Sequence, residues 1–502
     1  MNSFFHRKAA VVAAAAVIIV MGCAVGPDFH APNAPDTKEY TVSPLPPETA
    51  ATPGVGGAAQ RWMPEQDIPS QWWLLFQSTA LDQLIRQALA ESPTLASAEA
   101  TLRQAQETLR ATIGSALFPR VDLGASVDRE KISGAAVGQP NVRFAPFTLY
   151  NASVTVSYAL DIFGGARREL ESLRSQVDFQ RFQLEGAYIA LTANIVTTAV
   201  TEASVRAQIR DTQNIITAQQ KQYEMVELQY KLGGVAYADV LAQRAQLAQT
   251  KATLPPLEKA LTQTRHLLAV LVGKLPNEAG TLPEFNIEDL TLPQELPVSL
   301  PSSLVRQRPD IQASEALLHA ASAQIGVATA ALYPQITLSG SAGYTSTELI
   351  NLFTPGTAIW SIGAGLLQPI FHGGELTAKR RAAIAAYDQA AAQYRSTVLL
   401  SFQNVADVLR ALDLDANALK AQAEAESAAK DTLDLTHKQF KLGAISYLSL
   451  LNAERQYQQA RISLVQAQAA RFADTAALFL AMGGGWWNRP PRNDAGPTTR
   501  DK

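Results

Sequence analysis

The one side chain placed for covalent chemistry is Cys23, the only cysteine among 502 residues, which excludes an internal disulfide and any cysteine-rich metal site. Before it stand a positive segment, His6-Arg7-Lys8, an apolar run from Ala9 to Val20, and Met21-Gly22. This is the layout of a signal peptide spanning residues 1–22, its apolar run too short for the ~20 residues of a spanning helix. Cleavage there makes Cys23 the first residue, free to form a thioether with a diacylglyceryl group. A leftover thiol beside an ordinary cleavage site is the alternative.

No other constellation suggests catalysis. The six histidines, His6, His30, His266, His319, His372 and His437, stand apart without ligand spacing. No phosphate loop, nucleophile elbow or His-Glu-x-x-His sequence occurs, so no catalytic residue, metal ligand or cofactor site is expected. Losing Arg7 and Lys8 leaves 40 of the 42 basic residues against 45 acidic ones, a net charge of about −5 without the basic excess of a nucleic-acid binder.

The elements are unusually long. From Glu375 to Lys441 no proline or glycine interrupts the chain, and Tyr387, Ala391, Tyr394, Val398, Phe402, Val405, Leu409 and Leu412 recur at helical spacing. At about 1.5 Å per residue this predicts a rod on the order of 100 Å, which must lie against other rods. Gly165 to Lys231 is its twin. Leu160-Asp161-Ile162-Phe163-Gly164-Gly165 and Pro369-Ile370-Phe371-His372-Gly373-Gly374 precede the two rods, and Lys231-Leu232-Gly233 and Lys441-Leu442-Gly443 end them. Ser92-Pro93-Thr94-Leu95 and Arg308-Pro309-Asp310-Ile311 stand at matching places upstream. The chain is therefore two tandem copies of one large unit.

Before each rod the period changes to two. Val121, Leu123, Ala125 and Val127 alternate with polar or small residues, as do Tyr150, Ala152, Val154, Val156, Tyr158 and Leu160. The second copy repeats this with Ile336, Leu338, Ala342 and Tyr344, then Trp360, Ile362, Ala364 and Leu366. These predict strands at about 120–129, 150–161, 335–344 and 359–368. The alternation fits a membrane barrel and equally an ordinary half-buried antiparallel sheet. Four strands cannot close a barrel, for which about eight is the minimum, so a barrel would have to be shared between identical chains.

The expected organisation is a signal peptide at 1–22, an extended, lipidated segment at 23–76 held by Trp62, Trp72, Trp73 and Phe76, and repeats at 77–274 and 305–485. A proline-rich, irregular connector occupies 275–304 and a disordered tail 486–502. A short helix is expected over Leu81–Ala90. The returning helices start near Tyr237 and Ser446, the first interrupted at Pro255-Pro256. At each rod end, glycine with positive φ and lysine in the last turn already satisfy helix-ending rules.

Taken together, Gly22-Cys23-Ala24-Val25-Gly26-Pro27-Asp28-Phe29, Trp72-Trp73-Leu74-Leu75-Phe76, Arg308-Pro309-Asp310-Ile311, the Gly-Gly corners, the Lys-Leu-Gly tips and Ala481-Met482-Gly483-Gly484-Gly485-Trp486 resemble the TolC-like outer-membrane factors, lipoprotein branch. The resemblance covers residues 20–487. It implies a mainly α, mixed fold with a duplicated unit of strand pair and long helical hairpin, in a homotrimer whose 12-stranded β-barrel continues as a periplasmic α-helical barrel. It further implies an exit duct in the outer membrane, in contact with its lipid, served by a periplasmic adaptor protein and an inner-membrane transporter of the resistance-nodulation-division type. A type I secretion channel, or a lipid-anchored coiled-coil protein that is no channel, is the alternative.

By the same resemblance Cys23 is lipidated, and Ala24 after it directs sorting to the outer membrane. Lys231, Leu232, Gly233, Val235, Lys441, Leu442, Gly443 and Ile445 would form the tips that meet the adaptor, and Tyr237, Asp239, Tyr447, Ser449 and Asn452 a periplasmic gate. The family often has acidic residues where this chain has Ser449 and Asn452 and a basic one where it has Ile445. A mostly neutral, hydrogen-bonded constriction with one Asp239 per chain is therefore expected.

Overall fold

The computed structural model describes residues 24–489, save 38, 65 and 139; the expected signal peptide and Cys23 lie outside the described residues. In chain order the main elements are β1 (Arg61–Pro64), α1 (Thr79–Glu91), α2 (Pro93–Leu117), β2 (Arg120–Glu130), β3 (Phe147–Leu160), α3 (Gly165–Lys231) and α4 (Tyr237–Val272). Then follow β4 (Glu295–Val298), α5 (Pro301–Gln307), α6 (Pro309–Ala330), β5 (Gln335–Ser346), β6 (Ala358–Leu367), α7 (Glu375–Lys441) and α8 (Tyr447–Ala481). The duplication is plain in this order: strand pair, 67-residue helix, reversal and returning helix occur twice. No helix among the described residues is long and apolar enough to cross a membrane.

The chain forms two compact units. One comprises residues up to Pro32, Thr101–Gln180 and Ala313–Arg395; the other comprises Asn33–Ala100, Arg181–Gln312 and the residues from Ser396 onward.

The first unit holds an antiparallel sheet in the order β2-β3-β5-β6. Its register turns four separate alternations into two faces. Leu123 pairs with Val154, Val154 with Ala342, and Ala342 with Trp360, while Val121, Val156, Gly340 and Ile362 make the next row. Between these rows Asp122, Thr155, Ser341 and Ser361 line up, and Ser341 and Ser361 share a hydroxyl hydrogen bond of 2.8 Å. One face is therefore apolar and the other polar or small across all four strands. Leu123 and Ile362 are 81 % and 83 % exposed in the single chain, and β2 and β6 are open edges.

At the corner after β3, Gly164 has φ +78°, and a Cβ there would stand 2.6 Å from Ala24 Cα. Glycine is thus required by close approach as well as by backbone conformation. The N–H of Val25 donates to the Phe163 carbonyl at 3.0 Å, fixing the start of the described chain at this corner. Arg168 holds both Asp28 and Glu171 at 2.7 Å, and His319, stacked on Phe29, reaches Glu171 at 2.8 Å. His319 therefore sits in a structural polar cluster.

The second unit carries the main core. Helix α1 buries Leu81, Leu84, Ile85 and Ala88, one helical face, and Ser78 caps its start. Trp72, Trp73 and Phe76 are buried; Trp72 stacks on Phe479 with ring centroids 5.0 Å apart. The Arg308-Pro309-Asp310 sequence joins two helix ends. Arg308 grips both Asp310 carboxylate oxygens and donates to the Ala481 carbonyl at 2.8 Å, satisfying an acceptor left open at the end of α8.

Three expectations are corrected in this unit. Pro255 and Pro256 lie inside one continuous α4. Their missing N–H groups free the carbonyls of Lys251 and Ala252, and both residues are exposed, so water can take the place of the lost bonds. Connector and N-terminal segment are not wholly irregular, since β1 and β4 pair in parallel, matching Arg61 with Glu295 and Pro64 with Val298. Residues 486–489 belong to the folded body: Trp486 donates to the Gln307 carbonyl, Asn488 to that of Ile68, and Arg489 pairs with Glu185. Those partners come from distant sequence, which is why the polar tail concealed them.

Candidate functional site at the helical reversals

Both reversals lie in the second unit and share one hydrogen-bond pattern. Gly233 N–H donates to the Tyr230 carbonyl and Gly234 N–H to that of Gln229; Gly443 and Ala444 repeat this with Phe440 and Gln439. The glycines have φ of +78° and +72°, and this pairing of a long and a short bond is the Schellman ending. The next helices are capped in two ways. Asp239 accepts from the Ala236 N–H at 3.2 Å, whereas Ser446 accepts from the Ser449 N–H at 3.4 Å and shares a hydroxyl contact with the Ser449 side chain. The duplicated positions 239 and 449 thus both close a helix start, one with a carboxylate favoured by the helix dipole and one within a neutral pair.

The tip residues divide by exposure. Leu232 and Leu442 are 78 % and 84 % exposed, while Val235 and Ile445 are half-buried. Val235 packs on a cluster of Val226, Val240, Tyr447, Leu450 and Leu451, with Tyr223, Leu433 and Phe440 at its margin. Lys231 pairs with Glu227 at 3.5 Å across one turn, and Lys441 is exposed at the end of α7. The cluster ties the two reversals together through apolar contact.

The expected gate residues are not all brought to one surface. Tyr237, Ser449 and Asn452 are exposed and Asp239 is half-buried, with Tyr237 against Tyr230 at 5.2 Å between ring centroids. Tyr447 is instead buried in the apolar cluster, edge-on to Phe440, and its hydroxyl has no hydrogen-bond partner. Burial, with the carboxylates of Glu454 and Asp239 nearby, raises its pKa. Its ring is a packing element, because position 447 falls on the same helical face as Leu450 and Leu451.

One turn further along that face stands Glu454, which the sequence reading passed over. It is 8 % exposed, its Oε2 lacks a partner, and burial pushes its carboxyl up to about 7. It lines a cavity of about 290 Å³ together with Asp211, Gln219, Leu433, His437, Tyr457 and Arg461, among others. A lone acid in the spacing Tyr447, Leu450, Leu451, Glu454 was the available signal.

Residues 84–274 and 300–484 match the family described as outer membrane efflux protein. The chain is 31 % identical to the pyoverdine export outer membrane protein OpmQ of Pseudomonas putida, over 88 % of this chain and 94 % of that one. It is 28 % identical to the antibiotic efflux pump outer membrane protein ArpC of Pseudomonas putida, over 94 % of both. Among solved structures it resembles the outer-membrane channel OprN, with a TM-score of 0.82 and 28 % identity, over 92 % of this chain and all of that one.

Proposed function

The chain belongs to the outer membrane efflux protein family, and from that premise we propose that three copies close a 12-stranded barrel and form the exit duct of a tripartite efflux system. It is an outer-membrane efflux channel and not an enzyme. The observation that carries a barrel shared between copies is the four-stranded sheet, apolar on one face, polar on the other, and open at both β2 and β6; the number three comes from the family resemblance. In lipid, unpaired edge N–H and C=O groups cost several kcal/mol each, so the strands need neighbours from further copies.

Within that reading a periplasmic adaptor meets the two tips, and an inner-membrane transporter delivers cargo through it. Leu232 and Leu442 supply apolar contacts, flanked by Lys231 and Lys441; Gly233 and Gly443 shape the turns, and Val235 and Ile445 back them from the half-buried side. Tyr237, Asp239, Ser449 and Asn452 line the periplasmic constriction, with Tyr447 packed behind them. The related OpmQ exports pyoverdine and ArpC serves antibiotic efflux; cargo of this breadth fits a duct better than a selective binding site.

Cys23 is the proposed lipid anchor. Ala24 lies at the corner that ends β3, which would start the acyl chains where a membrane-spanning strand stops. Native mass spectrometry of the detergent-extracted protein tests both points together. The expected result is three copies, each carrying the added mass of a diacylglyceryl and an N-acyl group, with conductance in planar bilayers. A conducting monomer would end the trimer reading, and an unmodified Cys23 would end the anchor alone.

A further inference from the structure

We propose that the cavity bounded by α3, α7 and α8 is a binding site for a small organic cation with an apolar body, such as an arylalkylamine. It lies within the second unit, and all its lining residues come from one chain. Its walls include Ile215 and Ala218 from α3, Leu433 and His437 from α7, and Glu454 and Tyr457 from α8, around about 290 Å³. That volume is at the small end of ligand pockets.

Two features point to a ligand. Gln219 is 2 % exposed, and neither its side-chain oxygen nor its nitrogen has a hydrogen-bond partner. Glu454 lines the same space, and its Oε2 also lacks a partner. Buried polar atoms are rarely left unpaired, and two such side chains lining one cavity mark a place where something polar is received.

Charge selects the class. Arg461 is the one guanidinium in the lining, and it is already shared between Asp211 at 2.8 Å and Glu426 at 3.8 Å. With Glu454 ionised, these four groups carry two negative charges in excess. His437 does not offset them, because burial and the nearby Lys441 lower its pKa despite Asp434. An ammonium placed against Glu454 would supply the missing charge and donate to its free oxygen, while Gln219 accepts a second N–H. The Tyr457 ring, Leu433 and Ile215 then cover the apolar body, with the aromatic face able to favour the cation. Water alone would fill the volume but would leave those apolar walls wetted.

The test uses 2-phenylethylamine and its neutral counterpart 2-phenylethanol in calorimetric titrations of the detergent-extracted full-length protein. The amine is expected to bind once per chain and at least about tenfold more tightly than the alcohol, as loss of one charge-assisted hydrogen bond implies. Glu454→Gln keeps the side-chain volume and should weaken the amine by about tenfold or more without changing the alcohol. Ala218→Phe at the exposed mouth should block both while leaving the carboxyl intact. Circular dichroism melts identify any variant that fails to fold, and the other variant then decides. Equal binding of amine and alcohol, undiminished amine binding in folded variants, or no binding to the folded wild-type protein overturns the proposal and leaves a hydration cavity.

Discussion

At the scale of single residues, two acids of the second unit, Glu454 and Asp474, are pushed up to about 7 and contribute a pH response of their own. Burial raises Glu454, and burial together with a hydrogen bond that protonated Asp474 donates to the Asp415 carboxylate raises Asp474. Each holds its proton in the folded protein at pH values where an unfolded chain has released it. Stability from this source is complete below about pH 4 and is lost as pH rises through about 7. Glu454→Gln abolishes one such contribution, so the variant should gain on the wild type by up to about 3 kcal/mol above pH 7 and by little near pH 4. Denaturant midpoints across that range check it; a difference that does not vary with pH would remove Glu454 as its source. Asp239 is a different case, because it caps α4 and is also assigned by our proposal to the periplasmic constriction. Asp239→Ala should raise single-channel conductance and reduce cation selectivity, and should loosen the helix start by about 1 kcal/mol. Unchanged conductance and selectivity would confine Asp239 to its capping role.

At the scale of elements, the reversals separate conformation from contact. A Cβ on Gly233 or Gly443 would meet nothing within 4 Å, so only positive φ demands glycine there. Gly443→Asn should therefore be tolerated, since asparagine enters the left-handed region readily. Gly443→Pro cannot take that φ and loses the N–H that bonds to the Phe440 carbonyl. It should abolish efflux in a drug-susceptibility assay while trimers persist in native gels, because the apolar cluster of Tyr447, Leu450 and Leu451 lies beyond the turn. Export by the proline variant at the wild-type level would show that the second tip is dispensable.

At the scale of the whole molecule, the two faces of the sheet should respond oppositely to charge. Ile362→Lys places an ammonium on the apolar face and should cost about 2–4 kcal/mol of membrane stability near mid-depth, while Ser361→Lys on the other face should insert normally and shift ion selectivity. Urea unfolding from liposomes reads the first effect and bilayer recordings the second. Equal tolerance of both would mean that the exposed rows of β2 and β6 do not meet lipid.

Much of this architecture was legible in the sequence because its causes are local. Period 3.6, with no proline in either run and no glycine in the second, set the two 67-residue helices, period two set the strands, and glycine after lysine and leucine set both reversals. The duplicated order of elements follows from the same signals, whereas Asp239, Ser449 and Asn452 were singled out by the family resemblance. What only the tertiary structure decided depends on which distant segments meet. Whether Pro255-Pro256 breaks a helix depends on water reaching the freed carbonyls, and whether Tyr447 faces open space depends on Val226, Val240 and Phe440 packing around it. Glu454 is an ordinary acid in the sequence. It becomes a proton-binding group beside a cavity because α3 and α7 remove it from water without giving its second oxygen a partner.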